Sequence, residues 1–266
     1  MTALNFIAAL IAIAAALSAI MTAAWLIQQR TGNSGWVDTT WTFGVGLTGA
    51  VSALTAGVEV RQLLVAAFAI VWASRLGLHI ARRSARAADD PRYAAMVSEW
   101  GADAPRRMFR FLQIQALAGI PLVMSMFVAA SRPGTGLTIG DACAILVMTI
   151  AIFGEGLADR QLELFQANTG NRGAVNDRGL WRWSRHPNYF FEFLGWLAYP
   201  LIAIDLSGHY PWGWLALAGP ACMYWLLVHV SGIPPLEEHM LRSRGDAFRA
   251  YQRRTNAFFP GPPRRD

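Results

Sequence analysis

Apolar and polar positions along this chain fall into long blocks rather than the short alternations of strands. Leu4 to Ile27 contains no charged residue, and Thr42 to Val58, Gln62 to Ile80, Phe111 to Ala130, Leu137 to Gly154, Tyr189 to Ile204 and Trp212 to Val230 are further apolar blocks. A helix that spans a bilayer needs roughly 17–25 such residues, because it rises about 1.5 Å per residue across a hydrocarbon core about 30 Å thick. The pattern predicts an all-α, polytopic membrane protein: a bundle of about seven transmembrane helices in a single domain over residues 1–266. The second and sixth blocks are short. The first follows Met1 directly, without the basic start of a signal peptide, and is expected to be a retained helix.

Composition agrees with the blocks. The chain is 54% hydrophobic and 15% charged, where a soluble domain carries about 25% charge. Every one of the 23 basic residues is arginine. Seven lie from Arg82 to Arg110, five from Arg160 to Arg185 and seven from Arg242 onward. These segments follow the third, fifth and seventh blocks, which exit on one face of a seven-helix chain. Because positive residues stay cytoplasmic, the N-terminus is expected outside and the C-terminus inside, in a bacterial inner membrane. Guanidinium groups suit planar, bidentate contacts to phosphate or carboxylate. Cys143 and Cys222 fall inside helices at no metal or redox spacing, so no metal site is expected.

Polar groups set in or against the apolar blocks are the candidates for chemistry, since such groups are costly in hydrocarbon without a partner. Asp38, in "GWVDTTW", is either a helix cap among interfacial tryptophans or a carboxyl group lining a cavity. Arg75, His79 and Arg83 recur every four residues and form one stripe of the third helix; Asp38 is the first partner to consider for Arg75. Glu155, Asp159 and Glu163 share a face of the fifth helix, and Glu155 is deep enough to require a partner. From Asn168 to Phe193, three glycines expose backbone N–H groups among Arg172, Arg178, Arg182 and Arg185, and Pro187 marks a helix start. Amides, arginines and a helix N-terminus together make an anion site, cytoplasmic in this topology, that suits a polyphosphate; anionic lipid headgroups are the other partner for such arginines. Asn188, Tyr189 and Glu192 go beyond what headgroups require. After Pro234 and Pro235, Glu237 and Glu238 precede an amphipathic stretch expected to lie along the cytoplasmic interface as a cap, and Arg253 lies near the same mouth.

The segment "GLWRWSRHPNYFFEFLGW" resembles the hallmark of the steroid 5α-reductase family in its bacterial branch. "VDTTW", "SRLGLHIARR", "ADRQLELFQ" followed by "NRG", and "YQRRTNAFFP" resemble the same family in the same order. The resemblance extends from about Trp36 to Pro260. Membrane methyltransferases of the isoprenylcysteine type also carry an Arg-His-Pro-x-Tyr motif and use S-adenosylmethionine, which makes them the alternative. Arginine richness favours the reductase, because a 2′-phosphate and a pyrophosphate demand several cations.

The reductase resemblance implies NADPH as cofactor and reduction of a double bond conjugated to a ketone, as in 3-oxo-Δ4-steroids or a similar enone lipid. Hydride reaches the β-carbon, and an acid must meet the enolate. Carried over motif by motif, Asn188 would meet the nicotinamide end. Arg172, Arg178, Arg185 and His186 would hold phosphates or their surroundings. Glu155, Asp159 and either Glu237 or Glu238 would contact the cofactor, with Arg75, His79, Tyr189, Glu192 and Arg253 completing the expected set. The family's ketone-polarising Glu–Tyr pair has no match: Trp72 stands where its tyrosine would be, Asp38 is the nearest acid, and Gln166 replaces an arginine contact. The catalytic candidates are therefore Asp38, Trp72 and Tyr189. The expected partners are an apolar enone lipid and membrane lipid; neither a nucleic acid nor a protein partner is expected.

Overall fold

A computed structural model of the chain describes residues 1–86 and 90–264. Among them every regular segment is helical. The principal helices are α1 (Ala3–Thr31), α2 (Trp36–Thr55), α3 (Val60–Arg86), α4 (Pro91–Trp100), α5 (Ala104–Ala130), α6 (Ile139–Ala167), α7 (Pro187–Trp196), α8 (Ala198–Ala203), α9 (Ala218–Trp225) and α10 (Ile233–Arg254). Five segments are long and apolar enough to cross a membrane: Ala3–Thr31, Val60–Ala85, Arg92–Ala130, Ile139–Ala167 and Pro211–Arg254. This is the pattern of an integral membrane protein.

The second and sixth apolar blocks are not among the five. Helix α2 is 20 residues long, but buried Thr39, Thr42 and Thr48 and buried Gly44, Gly46 and Gly49 dilute its hydropathy. The sixth block is divided between α7 and the six-residue α8, so neither part is long enough alone.

By internal contacts the chain forms two compact units. The first is Met1–Ala142 with Tyr199–Gly219, and the second is Cys143–Ala198 with Pro220–Asp266. In unit 1, α2 packs against α1, α3 and α5, and α1 packs against α5. Small residues permit the close approach: a Cβ at Gly46 would stand 2.2 Å from the Ala73 Cβ, and one at Gly49 would stand 2.0 Å from the Met126 sulfur. Interhelical polar bonds join α1 to α5, where Ser18 Oγ donates to Gln113 Oε1 at 2.7 Å and Gln113 Nε2 donates to Thr22 Oγ1 at 3.2 Å. Such small-residue contacts and buried hydrogen bonds hold helices together where lipid is as apolar as the helix surface.

At one end of unit 1, Arg61 and Asp141 are 3% and 0% exposed. Arg61 gives Nε and Nη2 to the two carboxylate oxygens, each at 3.2 Å. Its Nη1 and Nη2 also donate to the carbonyls of Arg132, Gly134 and Gly136 at 3.1, 3.0 and 2.9 Å. Asp141 in turn accepts from Thr138 N and Thr138 Oγ1. The loop between α5 and α6 is thus wrapped around one paired guanidinium.

In unit 2 the segment between α6 and α7 is pinned at both sides. Trp181 Nε1 donates to the Ala158 carbonyl at 3.0 Å, and Leu180 N donates to Gln161 Oε1 at 2.9 Å. Toward the C-terminal side, Ser184 Oγ donates to the Phe258 carbonyl at 2.8 Å, Arg185 N to the Asn256 carbonyl at 2.8 Å, and Gly261 N to the Trp183 carbonyl at 3.0 Å. The Tyr251 hydroxyl donates to the Trp181 carbonyl. Helix α10 is kinked at Gly245, whose φ of 50° lies in the left-handed region that suits glycine.

Candidate functional site

Helix α7 begins at Pro187, where the missing N–H of proline costs nothing and its fixed φ suits the first turn. The next residue turns its amide back: Asn188 Oδ1 accepts from Tyr189 N at 3.1 Å, while Nδ2 donates to Asp159 Oδ1 of α6 at 3.2 Å. The neighbouring motif residues are tied to α10. Arg185 grips Glu237 in a fork, Nε to Oε1 at 2.7 Å and Nη2 to Oε2 at 3.2 Å. Its Nη1 donates to the carbonyls of Gln252 and Thr255 at 3.2 and 2.6 Å. Gln252 Nε2 adds a bond to Glu237 Oε2 at 2.6 Å. Such bidentate, charge-assisted pairs fix orientation strongly.

His186 lies 2.9 Å from Glu237 Oε1 through Nε2 and is 3% exposed. Burial pushes its imidazole below the usual value of 6.5, against the opposing pull of the hydrogen bond and charge of Glu237. The contact is a hydrogen bond from neutral imidazole rather than an ion pair, since Arg185 already neutralises Glu237 and repels a second cation. Nε2 then carries the proton, and Nδ1 is left as a buried acceptor without a hydrogen-bond partner among the described residues. The ring stacks on Tyr189 at 5.5 Å and 10°.

A depressed histidine has a definite signature. Above 6.5 both folded and unfolded His186 are neutral, and its contribution to stability is complete. Below that value the unfolded chain takes up a proton that the folded chain refuses, so stability falls with pH until the folded ring also protonates. Wild type is expected to lose more thermal stability between pH 7.5 and pH 5 than His186→Gln, melted in the same detergent. Equal losses would show that the imidazole is not held neutral.

The remaining expected cofactor residues of unit 2 divide by exposure. Glu155 and Glu192 are buried, at 4% and 5% exposure, and Glu192 Oε1 accepts from Trp196 Nε1 at 2.9 Å. Arg172, Arg178 and Arg253 are exposed, whereas most of Arg185's N–H groups are spent inside the protein. Of the two adjacent acids, Glu237 enters the cluster, and Glu238 pairs with Arg242 at 3.4 Å on the exposed side.

Unit 1 carries a second cluster. Gly35 stands at the N-cap of α2 and Asp38 in its first turn, so Asp38 is not the cap. Its oxygens are taken from α4: Arg92 Nη2 donates to Oδ2 at 2.5 Å, and the Tyr93 hydroxyl donates to Oδ1 at 2.6 Å. Arg92 and Tyr93 of α4 are thus hydrogen-bonded partners of Asp38. Tyr93 is 3% exposed. Its oxygen accepts from Gln115 Nε2 of α5 at 3.0 Å, and Arg92 Cζ lies 5.5 Å from its ring centroid. Arg92 is itself held by Asp90, whose carboxyl burial would raise but which the Arg92 hydrogen bonds and charge hold below the usual carboxylate range. Trp72 is buried in α3, and Arg75 and His79 on the same helix are half-buried.

Tyr93 and Gln115 escaped sequence reasoning. "PRYAAMVSEW" reads as a connection whose arginine marks the cytoplasmic side, and only folding carries its tyrosine back to α2.

The family model described as "Protein of unknown function (DUF1295)" matches residues 24–255. An uncharacterized protein of Schizosaccharomyces pombe is 26% identical over 270 residues, covering 89% of this chain and 75% of its own length. No solved structure matches the chain.

Proposed function

We propose, for a chain that belongs to the DUF1295 family, the NADPH-dependent reduction of an enone lipid such as a 3-oxo-Δ4-steroid. The observation that carries this assignment is the Tyr93 hydroxyl, buried between the Asp38 carboxylate and the Gln115 amide. Conjugate reduction needs a proton donor, whereas methyl transfer to a thiol or carboxylate needs none. A phenol is neutral at physiological pH and so carries a proton. Gln115 Nε2 donates to the phenol oxygen, Arg92 lies against the ring, and the Asp38 carboxylate accepts the phenol proton. Asp38, named from sequence as the acid, becomes the group that orients Tyr93, since a carboxylate already bound to arginine has no proton to give.

The chain's residues fit the cofactor that the motif resemblance implies. Exposed Arg172, Arg178 and Arg253 offer guanidiniums to phosphates, the Asn188 amide is oriented by Asp159, and His186 presents a buried acceptor. Arg185 acts through Glu237, by fixing the loop that carries His186 and Asn188. When bound, the cofactor supplies hydride to the β-carbon of the enone. A proton must then reach the α-carbon, which restores the ketone with the neighbouring double bond saturated, and Tyr93 is the donor that unit 1 offers.

The arginine distribution further supports seven crossings, with α2 and the α7–α8 segment as the two additional ones. It also supports an outside N-terminus and a cytoplasmic cap formed by the loop before α7 and by α10. A bacterial inner membrane is the proposed location.

The test is direct transfer of label. Purified protein given NADPH deuterated on its transferable hydride position, together with an enone steroid, is expected to yield saturated ketone with deuterium at the β-carbon. Deuterium-free product, or methyl transfer from S-adenosylmethionine to a prenylated thiol or carboxylate, would overturn the assignment.

A further inference from the structure

Unit 2 contains an apolar groove of about 560 Å³, lined chiefly by Leu180, Trp183, Pro187, Phe190, Phe191 and Phe259. Of these side chains only Trp183 carries a polar atom. The floor is preformed: Phe190 meets Phe258 and Phe259 edge-on at 6.1 and 6.2 Å, and Phe191 closes over Gly154, where a Cβ would stand 2.4 Å from its ring. The mouth is wide, with Trp183 and Phe259 47% and 55% exposed. A groove of this volume accommodates a small ligand, and its lining recognises hydrocarbon alone.

A cationic residue adjoins it in the chain. Arg182 precedes Trp183 and is exposed. The Trp183 indole is half-exposed. Tryptophan and arginine together mark the headgroup level of a bilayer, where an indole body faces chains and its N–H faces phosphate or ester oxygen.

We propose that this groove seats one acyl chain of an anionic phospholipid, with Arg182 and the Trp183 N–H at its headgroup. An apolar floor beside a cationic residue is complementary to an amphiphile with a negative head, and arginines near the surface favour anionic over zwitterionic lipid. Arg182 belongs to the arginine-rich segment of the expected anion site but is not one of the residues matched to the cofactor, so the test reads lipid preference and not turnover.

The full-length protein is reconstituted in phosphatidylcholine vesicles. These contain, at equal mole fraction, either chain-brominated phosphatidylglycerol or chain-brominated phosphatidylcholine. Bromine quenches nearby indoles, and because the chain has 11 tryptophans the signal is read as the difference between wild type and Trp183→Phe. Quenching of Trp183 is expected to be several-fold stronger from the glycerol lipid, and Arg182→Gln is expected to abolish that preference while leaving the melting temperature unchanged. Equal quenching by the two lipids, or a preference that persists in Trp183→Phe, would assign the groove to ordinary contact with bulk lipid and overturn the proposal.

Discussion

Exchange of Arg61 for methionine is expected to destabilise unit 1 by about 3–5 kcal/mol, the cost of leaving a buried charge without its partner. Asp141 is fully buried, and its two oxygens hold the guanidinium. In the variant the carboxylate keeps only its Thr138 bonds, and the carbonyls of Arg132, Gly134 and Gly136 lose their donor at once. Gly134 and Gly136 are exposed, so water can replace that donor, and the cost falls chiefly on the buried carboxylate. The measurement is unfolding by SDS in mixed micelles, for Arg61→Met, Asp141→Asn and the double variant. The two single changes should be severe and the double one milder than their sum, because it removes both charges. Additive losses would show that the two groups act independently.

Tyr93→Phe is the second large effect, on turnover rather than on the fold. Removing a group that stabilises charge in the transition state costs on the order of 100–1,000-fold, about 2.7–4 kcal/mol. The phenyl ring retains the packing against Phe111, whose centroid lies 6.1 Å away, so cofactor binding and melting temperature should change little. Asp38→Asn separates orientation from acidity: its amide still offers an acceptor to the Tyr93 hydroxyl, and partial activity should survive. If Tyr93→Phe turns over normally, the hydroxyl is only a strut between α2 and α4 and the proton comes from elsewhere. If Tyr93→Phe instead melts early and loses cofactor affinity, the cluster is structural.

The long apolar blocks made helix content and membrane character legible, because length and hydropathy are local properties of sequence. The groups around Pro187 were legible as a set for a related reason: Arg185, His186, Asn188 and Tyr189 are neighbours in the chain, and a proline fixes where their helix begins. Pairings across the fold were not. Arg61 reads as one of the few arginines of the sparse connections, and nothing local shows that a loop some 70 residues away will close around it. Asp38 was matched with Arg75 by depth, while its partners Arg92 and Tyr93 lay in a stretch that reads as a connection. Glu237 and Glu238 could not be told apart as letters. On a helix, adjacent residues diverge by about 100°, and only the placement of α10 sends Glu237 to Arg185 and Glu238 to the surface.

Among the functional tests, nucleotide choice bears most directly on the proposed activity. Purified protein is titrated in parallel with NADPH, NADH and S-adenosylmethionine. A charge-assisted contact to a 2′-phosphate contributes on the order of 1.5–3 kcal/mol, so NADPH should bind at least tenfold more tightly than NADH. Changing Arg172 and Arg178 to glutamine together should erase that margin. Equal affinity for NADPH and NADH, or saturable binding of S-adenosylmethionine in their place, would contradict an NADPH-dependent reductase.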